Sequence, residues 1–381
     1  MGLIERHRRN TIEGSHQIPQ FQKFVLLLCL LLLSFSNELH AKTEKDSSEW
    51  LLIYYIPYDN NLSEYADSII NQLEGAKNLK NVNVVIQLDQ SDSLGMQRIS
   101  FASGRAMNQR ISVEESYDKS TLMDFLSWTN DNFSFNKCAL FFLDHGGRPD
   151  EIGQDLYPDS TFLKTTSIRK SVQAFNQKNK DLIDLIYLQV CTKASIETLY
   201  EFHDLCEFTL ASQDVLGAPN FYYEKTLQEL NQSPDIKGNQ LASFIAKNDA
   251  PEMFATLTCI NNSAFDAVKL AFRKYSAEVH LRTDLAFNAM PTYFDYGSDR
   301  YWDLNAFLNE VNSKSTREMA ARDSLIEQIN DHLIDHIYIS EKASNVKGSG
   351  ISIAALSKAR IYHFRKMQFY RDFKIKKLNL N

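Results

Sequence analysis

Several stretches of this chain are almost continuously apolar over the length of a single β-strand: Trp50–Ile56, Val82–Leu88, Lys137–Leu143, Leu182–Leu188 and Phe208–Ser212. Continuous runs, unlike alternating ones, suit strands covered on both faces, the condition of a parallel sheet. Helical patterns lie between them. One starts at Asp59-Asn60-Asn61-Leu62 and runs to about Glu74; another is capped by Ser120 and ends at Trp128. Two more cover Thr166–Asn176 and Ala194–Phe202, and residues 97–102 and 107–113 read as a hairpin. Strand and helix alternate, which predicts an α/β fold with a mostly parallel sheet between helical layers. Only 13 glycines and 8 prolines occur, too few for a many-turned all-β fold.

Both ends differ from this centre. Phe24–Phe35 is apolar but too short to span a bilayer core of roughly 30 Å. It follows Arg6, Arg8, Arg9 and Lys23, and Ala41 offers a cut, so residues 1–41 read as a secretory signal, with an uncleaved membrane anchor as the alternative. The protein is therefore expected outside the cytoplasm: periplasmic, cell-surface or extracellular. Residues 42–48 are polar and read as a disordered linker. Beyond a soft boundary near 235 helical patterns dominate at 239–247, 263–278, 302–311 and 318–334, with strand-like pieces at His336–Ser340 and Ile351–Leu356. Residues 49–235 thus read as the core and 236–381 as a mainly helical region. The basic stretch from Arg360 to Lys377 reads as a solvated helix face. A net charge of −7 argues against a nucleic-acid partner, which needs a basic surface.

In an open parallel sheet, ligands gather beyond the carboxyl ends of the strands. The third apolar run leads into Asp144-His145-Gly146-Gly147 and the fourth into Gln189-Val190-Cys191-Thr192. Successive strands joined by one crossover helix are often neighbours, so His145 and Cys191 are expected to share a cleft. A thiol with a pKa near roughly 8.5 is a poor nucleophile at neutral pH, and an adjacent imidazole activates it. The glycines after His145 leave backbone N–H groups open to a developing oxyanion. The helix beginning near Ala194 is expected to aim its positive end at the thiol.

From Trp50 to about Tyr223 the chain resembles the clostripain family of cysteine peptidases. The resemblance rests on Tyr58-Asp59-Asn60-Asn61-Leu62, Asp144-His145-Gly146-Gly147, Cys191 with Ser195–Glu201, and Leu210–Asp214. Asp303–Leu308 and Gly350–Ile353 extend it. It implies a caspase-like α/β/α sandwich and a polypeptide substrate cleaved by hydrolysis. Cys191 would be the nucleophile, His145 its acid/base partner, and the Gly146 and Cys191 N–H groups the oxyanion donors. The alternatives are a catalytically silent relative that binds peptides or proteins, and a surface protein that keeps only the fold.

The resemblance also predicts a departure. Family members that cut after arginine or lysine carry an acid two residues before the cysteine, where this chain has Gln189. A second acid is expected where Gly217-Ala218-Pro219-Asn220-Phe221 stands. Unless Asp214 or Asp184 substitutes, an arginine bound there would be an unpaired buried charge. Gln189, Asp214 and Phe221 are the expected substrate contacts, and Phe221-Tyr222-Tyr223 reads as core or cleft wall. Arg148 is expected to face solvent. Some family members need calcium, which the acidic stretch Asp150, Glu151, Asp155 and Asp159 would hold, although it lacks EF-hand spacing. Some mature by an internal cut, for which Lys164-Thr165 is the expected place. His332 and His336 stand at a helical spacing but lack a third ligand, and read as helix surface, so no metal site is expected there.

Overall fold

The computed structural model describes residues 45–90, 95–112, 115–155, 161–278, 292–296, 299–310, 315–341, 348–355 and 364–373. The expected leader at 1–41 lies outside the described residues. In chain order the strands are β1 (Asp46–Tyr58), β2 (Val82–Gln90), β3 (Gln97–Ala102), β4 (Arg105–Arg110), β5 (Phe133–Leu143), β6 (Glu151–Asp155) and β7 (Thr161–Lys164). They continue as β8 (Ile183–Gln189), β9 (Cys206–Ala211), β10 (Thr256–Asn261), β11 (Thr292–Tyr296), β12 (Asp299–Asp303), β13 (Ile334–Ile339) and β14 (Ser352–Ala355).

A nine-stranded sheet dominates, in the order β13-β10-β9-β8-β5-β1-β2-β3-β4. Its five central strands are parallel, from β9 through β8, β5 and β1 to β2. An antiparallel pair closes each edge. The apolar run in β1 obeys the two-residue period of a strand. Leu51, Ile53 and Tyr55 enter the core on one face, and Trp50, Leu52, Tyr54 and Ile56 enter the core on the other. Each such side chain, fully buried, contributes about 1.5–3 kcal/mol of burial free energy.

The helices divide between these faces. On the second lie α1 (Ala66–Leu73), α5 (Tyr223–Gln232) and α6 (Gly238–Asn248), through Ile69, Leu227 and Leu241. On the first lie α2 (Lys119–Asn132), α3 (Thr165–Asn179), α4 (Ile196–Phe202), α7 (Phe265–Glu278), α8 (Leu304–Glu310) and α9 (Thr316–Glu327). The short α10 (Gln368–Asp372) joins them through Phe369. This is the expected α/β/α sandwich.

The expected boundary near 235 needs correction. The described residues from 45 to 373 belong to one compact unit. The later region supplies β10 and β13 to the same sheet, while β11, β12 and β14 make a smaller one. The supposed disordered linker also differs: Asp46, Ser47 and Ser48 pair with Phe133, Ser134 and Phe135. Polar side chains did not prevent pairing, because the ladder is made by the backbone. The basic end turns inward through Phe364, Met367, Phe369 and Phe373, while Arg365, Lys366 and Arg371 stay exposed. His332 lies in a π-turn over Gln328–Leu333 and His336 on β13, so they share no helix. Among the described residues no helix is long and apolar enough to cross a membrane.

Candidate active site

β1 lies within the parallel set, with β2 on one side and β5, then β8, on the other. The chain reverses direction of growth across the sheet there, and such a switch point leaves a crevice at the carboxyl ends. Three strand ends open onto it. β1 ends near Asn60 and Asn61, β5 near Asp144 and His145, and β8 near Gln189 and Cys191. β5 and β8 are hydrogen-bonded neighbours, with Leu143 opposite Gln189. A cavity of about 270 Å³ lies here, lined by Tyr58, Asn61, His145, Gln189, Cys191 and Leu216 among others.

His145 and Cys191 are both half-buried on its wall. The His145 Nε2 lies 2.8 Å from the Asn61 Oδ1, an atom that can only accept. The proton is therefore on Nε2, and Nδ1 keeps its lone pair. Burial lowers the pKa of His145 below its usual value, which favours the neutral ring with its Nδ1 lone pair free. Among the described residues no hydrogen bond joins His145 to Cys191. The Cys191 Sγ instead accepts from the Leu216 N–H at 3.4 Å and lies 3.8 Å from the Leu216 carbonyl. Such contacts are commonly loose before substrate binds.

Asp144 and Asn60 hold the histidine turn. The buried Asp144 carboxylate accepts from Tyr117 Oη, from the Gln154 N–H at 2.9 Å, from the Asn60 amide at 3.0 Å and from the His145 N–H. Burial nevertheless pushes its pKa up to about 7. The Asn60 amide also donates to the Gln154 carbonyl at 2.7 Å. Asn60 and Asn61, expected as helix-starting residues in a segment that carries the family resemblance, thus span the crevice. Their partners lie 84 residues away in sequence, beyond any local pattern.

The two loops also touch directly. A Cβ on Gly146 would collide with the Cys191 carbonyl oxygen, so only glycine permits this approach. Lys193, fully buried, donates to the carbonyls of Gly147 and Arg148, each at 2.8 Å. Thr198 Oγ1 donates to the Pro149 carbonyl at 2.8 Å. Arg148, expected in solvent, is half-buried. The helix expected at Ala194 begins at Ile196, capped by Ser195, which accepts from the Thr198 N–H. A capped, seven-residue helix five residues from the thiol adds little field; the Leu216 N–H is the donor that reaches the sulfur.

Gln189 sits on the cavity wall with its amide fully engaged. It donates to Asn220 Oδ1 and to Tyr223 Oη, and accepts from Tyr222 Oη at 2.7 Å. Asn220 in turn donates to Asp249 at 2.6 Å. Asp249, buried and raised in pKa by that burial, also takes the Phe221 N–H at 2.9 Å. Phe221 itself is 47% exposed and stands off the cavity wall, unlike the buried Tyr222 and Tyr223.

Neither proposed substitute acid reaches the cavity. Asp214 accepts from the Val215 N–H at 2.7 Å and lies off the wall. Asp184 is at the opposite end of β8, where it accepts from the Cys138 N–H at 2.8 Å, and burial lifts its pKa to about 6. Exposed Glu64 is an acid on the outer wall.

The acidic loop does not fit calcium in its described part. Lys164 Nζ stands 2.6 Å from Glu151 Oε1 and 3.4 Å from Asp150 Oδ2, filling the place of a cation. The Asp155 side chain and Asp159 lie outside the described residues. Among the described residues no group of three or more metal-binding side chains gathers. Cleavage at Lys164-Thr165 would need local opening, since Lys164 ends β7 and the Thr165 N–H bonds the Asp150 carbonyl at 2.9 Å.

A histidine–glycine turn and a cysteine at adjacent strand ends, on a sheet of this topology, define a class: a cysteine peptidase with the caspase-like sandwich. The sequence profile of the clostripain family matches residues 54–372, and the chain belongs to that family. A search of curated proteins returns no match. Solved structures do resemble it. A secreted C11 cysteine protease from Bacteroides thetaiotaomicron, bound to an irreversible peptide inhibitor, aligns at TM-score 0.64 and 15% identity over 86% of this chain and 99% of that one. An inactive zymogen C11 protease from Parabacteroides distasonis aligns at 0.65 and 13% identity over 86% and 98%. Identities this low speak for the fold; the profile match carries the family and its peptidase activity on polypeptides.

Proposed function

We propose that this peptidase is an exported endopeptidase working through a Cys191–His145 dyad, with a primary specificity pocket that takes an uncharged side chain. The observation that carries the dyad is the pairing on one cavity wall of a partly exposed thiol and an imidazole whose Nε2 proton is committed to Asn61. Nδ1 takes the thiol proton as sulfur attacks the scissile carbonyl carbon. The carbonyl oxygen becomes an oxyanion facing the N–H groups of Gly146 and Cys191. The imidazolium then protonates the leaving amine, giving a thioester. His145 deprotonates a water that attacks the thioester carbon, and the acid product leaves with the thiol restored.

Gln189 supports the uncharged pocket. Where an acid would meet arginine, this chain has a carboxamide with its own partners. Glu64 is exposed, and an ion pair in water contributes at most about 1 kcal/mol. Export is supported by the leader anatomy of residues 1–41 and by the secreted protease from Bacteroides thetaiotaomicron.

The test is labelling with thiol-directed peptide probes of varied P1 residue, on wild type, Cys191→Ala and His145→Ala. Labelling with uncharged P1 probes, lost in both variants, is expected. Equal labelling of all three proteins across the panel would leave the peptide-binding module as the reading. Efficient labelling by arginyl probes would overturn the proposed pocket.

A further inference from the structure

Lys193 is a lysine without solvent, two residues past the nucleophile. Its surroundings are polar but not acidic at contact distance: its ammonium donates to the carbonyls of Gly147 and Arg148. Thr198, on the next helix, takes the following carbonyl, that of Pro149. Three consecutive carbonyls of the histidine loop are therefore gripped by two side chains, one from the cysteine loop and one from the helix that follows it. We propose that Lys193 and Thr198 form a clasp that positions His145 against Cys191, acting through the Gly147–Pro149 backbone rather than on substrate.

The physical case is geometric. His145 and Cys191 end different strands, and nothing in the β5–β8 ladder sets the distance between loops that lie beyond it. Gly146 against the Cys191 carbonyl makes them touch, but a glycine contact resists only compression. The clasp supplies the opposing pull. A buried ammonium carries a desolvation cost that a methionine would not, so its retention needs a polar task. The titratable groups around it are Glu151, Asp150, Cys191 and Lys164. Burial lowers its pKa to about 7, and either protonation state still has N–H groups for both carbonyls.

The clasp rests on the dyad, and the test separates the two. Iodoacetamide alkylation of Cys191 is followed by mass spectrometry in the full chain, at about pH 6.5 and about pH 9.5, either side of a free thiol's pKa. The proteins are wild type, His145→Ala, Lys193→Met, Thr198→Val and the His145→Ala/Lys193→Met double variant. Buried Cys138, Cys206 and Cys259 report unfolding by becoming labelled. At the lower pH we expect Lys193→Met to slow alkylation about tenfold and Thr198→Val about threefold, with the double variant no slower than His145→Ala. At the higher pH, where the thiol ionises unaided, all should react within about twofold.

Equal slowing at both pH values, additive loss in the double variant, or wild-type rates in Lys193→Met would each overturn the clasp. If Lys193→Met labels the buried cysteines, Thr198→Val decides: slowing confined to the lower pH supports the clasp and no slowing overturns it. If His145→Ala itself reacts like wild type, the dyad fails and the clasp with it.

Discussion

Two polar networks meet at the cavity, and they are built on opposite plans. Around His145 and Cys191 the hydrogen bonds run between distant segments: Asn61 to His145, Asn60 to Asp144, Lys193 to Gly147 and Arg148. Around Gln189 they close on themselves, through Asn220, Tyr222, Tyr223 and Asp249. The first network fixes geometry and leaves an imidazole nitrogen and a thiol for chemistry. The second leaves Gln189 without a charge to meet a cationic side chain, its carboxamide oxygen already accepting from Tyr222. Reaction and selectivity are thus held by separate sets of bonds, and should respond separately to mutation.

Asn61→Ala is the sharpest way to break that separation. It frees the His145 Nε2 proton and the ring's orientation, so kcat on a peptide with an uncharged P1 residue should fall about 10- to 100-fold with KM within about twofold. A raised KM with kcat unchanged would show that Asn61 belongs to binding. The second network is challenged by Gln189→Glu, nearly isosteric. The new carboxylate keeps the Tyr222 donor and faces the cavity, so kcat/KM for an arginyl peptide should rise about tenfold. Competition assays between arginyl and uncharged peptides read this directly. Unchanged preference would place the specificity elsewhere on the wall.

The smallest effect on activity is expected outside both networks. Glu197 on α4 is buried, accepts from the Ala354 N–H at 3.0 Å and leaves its Oε2 without a partner. Burial lifts its pKa from 4.5 to about 7. Folding therefore favours the protonated form. Its contribution is full below about pH 4.5 and is lost as pH rises through 7. Glu197→Gln should flatten this slope and gain about 1–3 kcal/mol at pH 8, read from urea midpoints at pH 5 and pH 8. Turnover should change less than about twofold. A wild-type curve that gains stability from pH 5 to 8 while the variant stays flat would reverse the sign.

Much of the fold was legible because apolar runs report burial locally. Trp50–Ile56 needed cover on two faces, and the sandwich supplies it. His145 and Cys191 were legible through one crossover helix and strand adjacency. Asn61 and Lys193 were not. Asn61 looks like a turn residue and Lys193 like a surface charge, since the default lysine is exposed. Only the approach of two loops 45 or 46 residues apart makes Lys193 internal. The later part of the chain was misread for a related reason. Its helices are longer than its strands, but whether β10 and β13 join an existing sheet is decided by their partners.

β1 is hydrogen-bonded on both sides, to β2 and to β5, yet it precedes both in the chain. During synthesis its apolar residues therefore appear before the strands and helices that will cover them. The slot β1 fills cannot close until the segment carrying the histidine has been made. Assembly is governed by contacts distant in sequence, which makes it slow and keeps a sticky strand on view while it waits. A strand paired on both sides in the finished enzyme is thus the one whose early exposure calls for a chaperone's shelter.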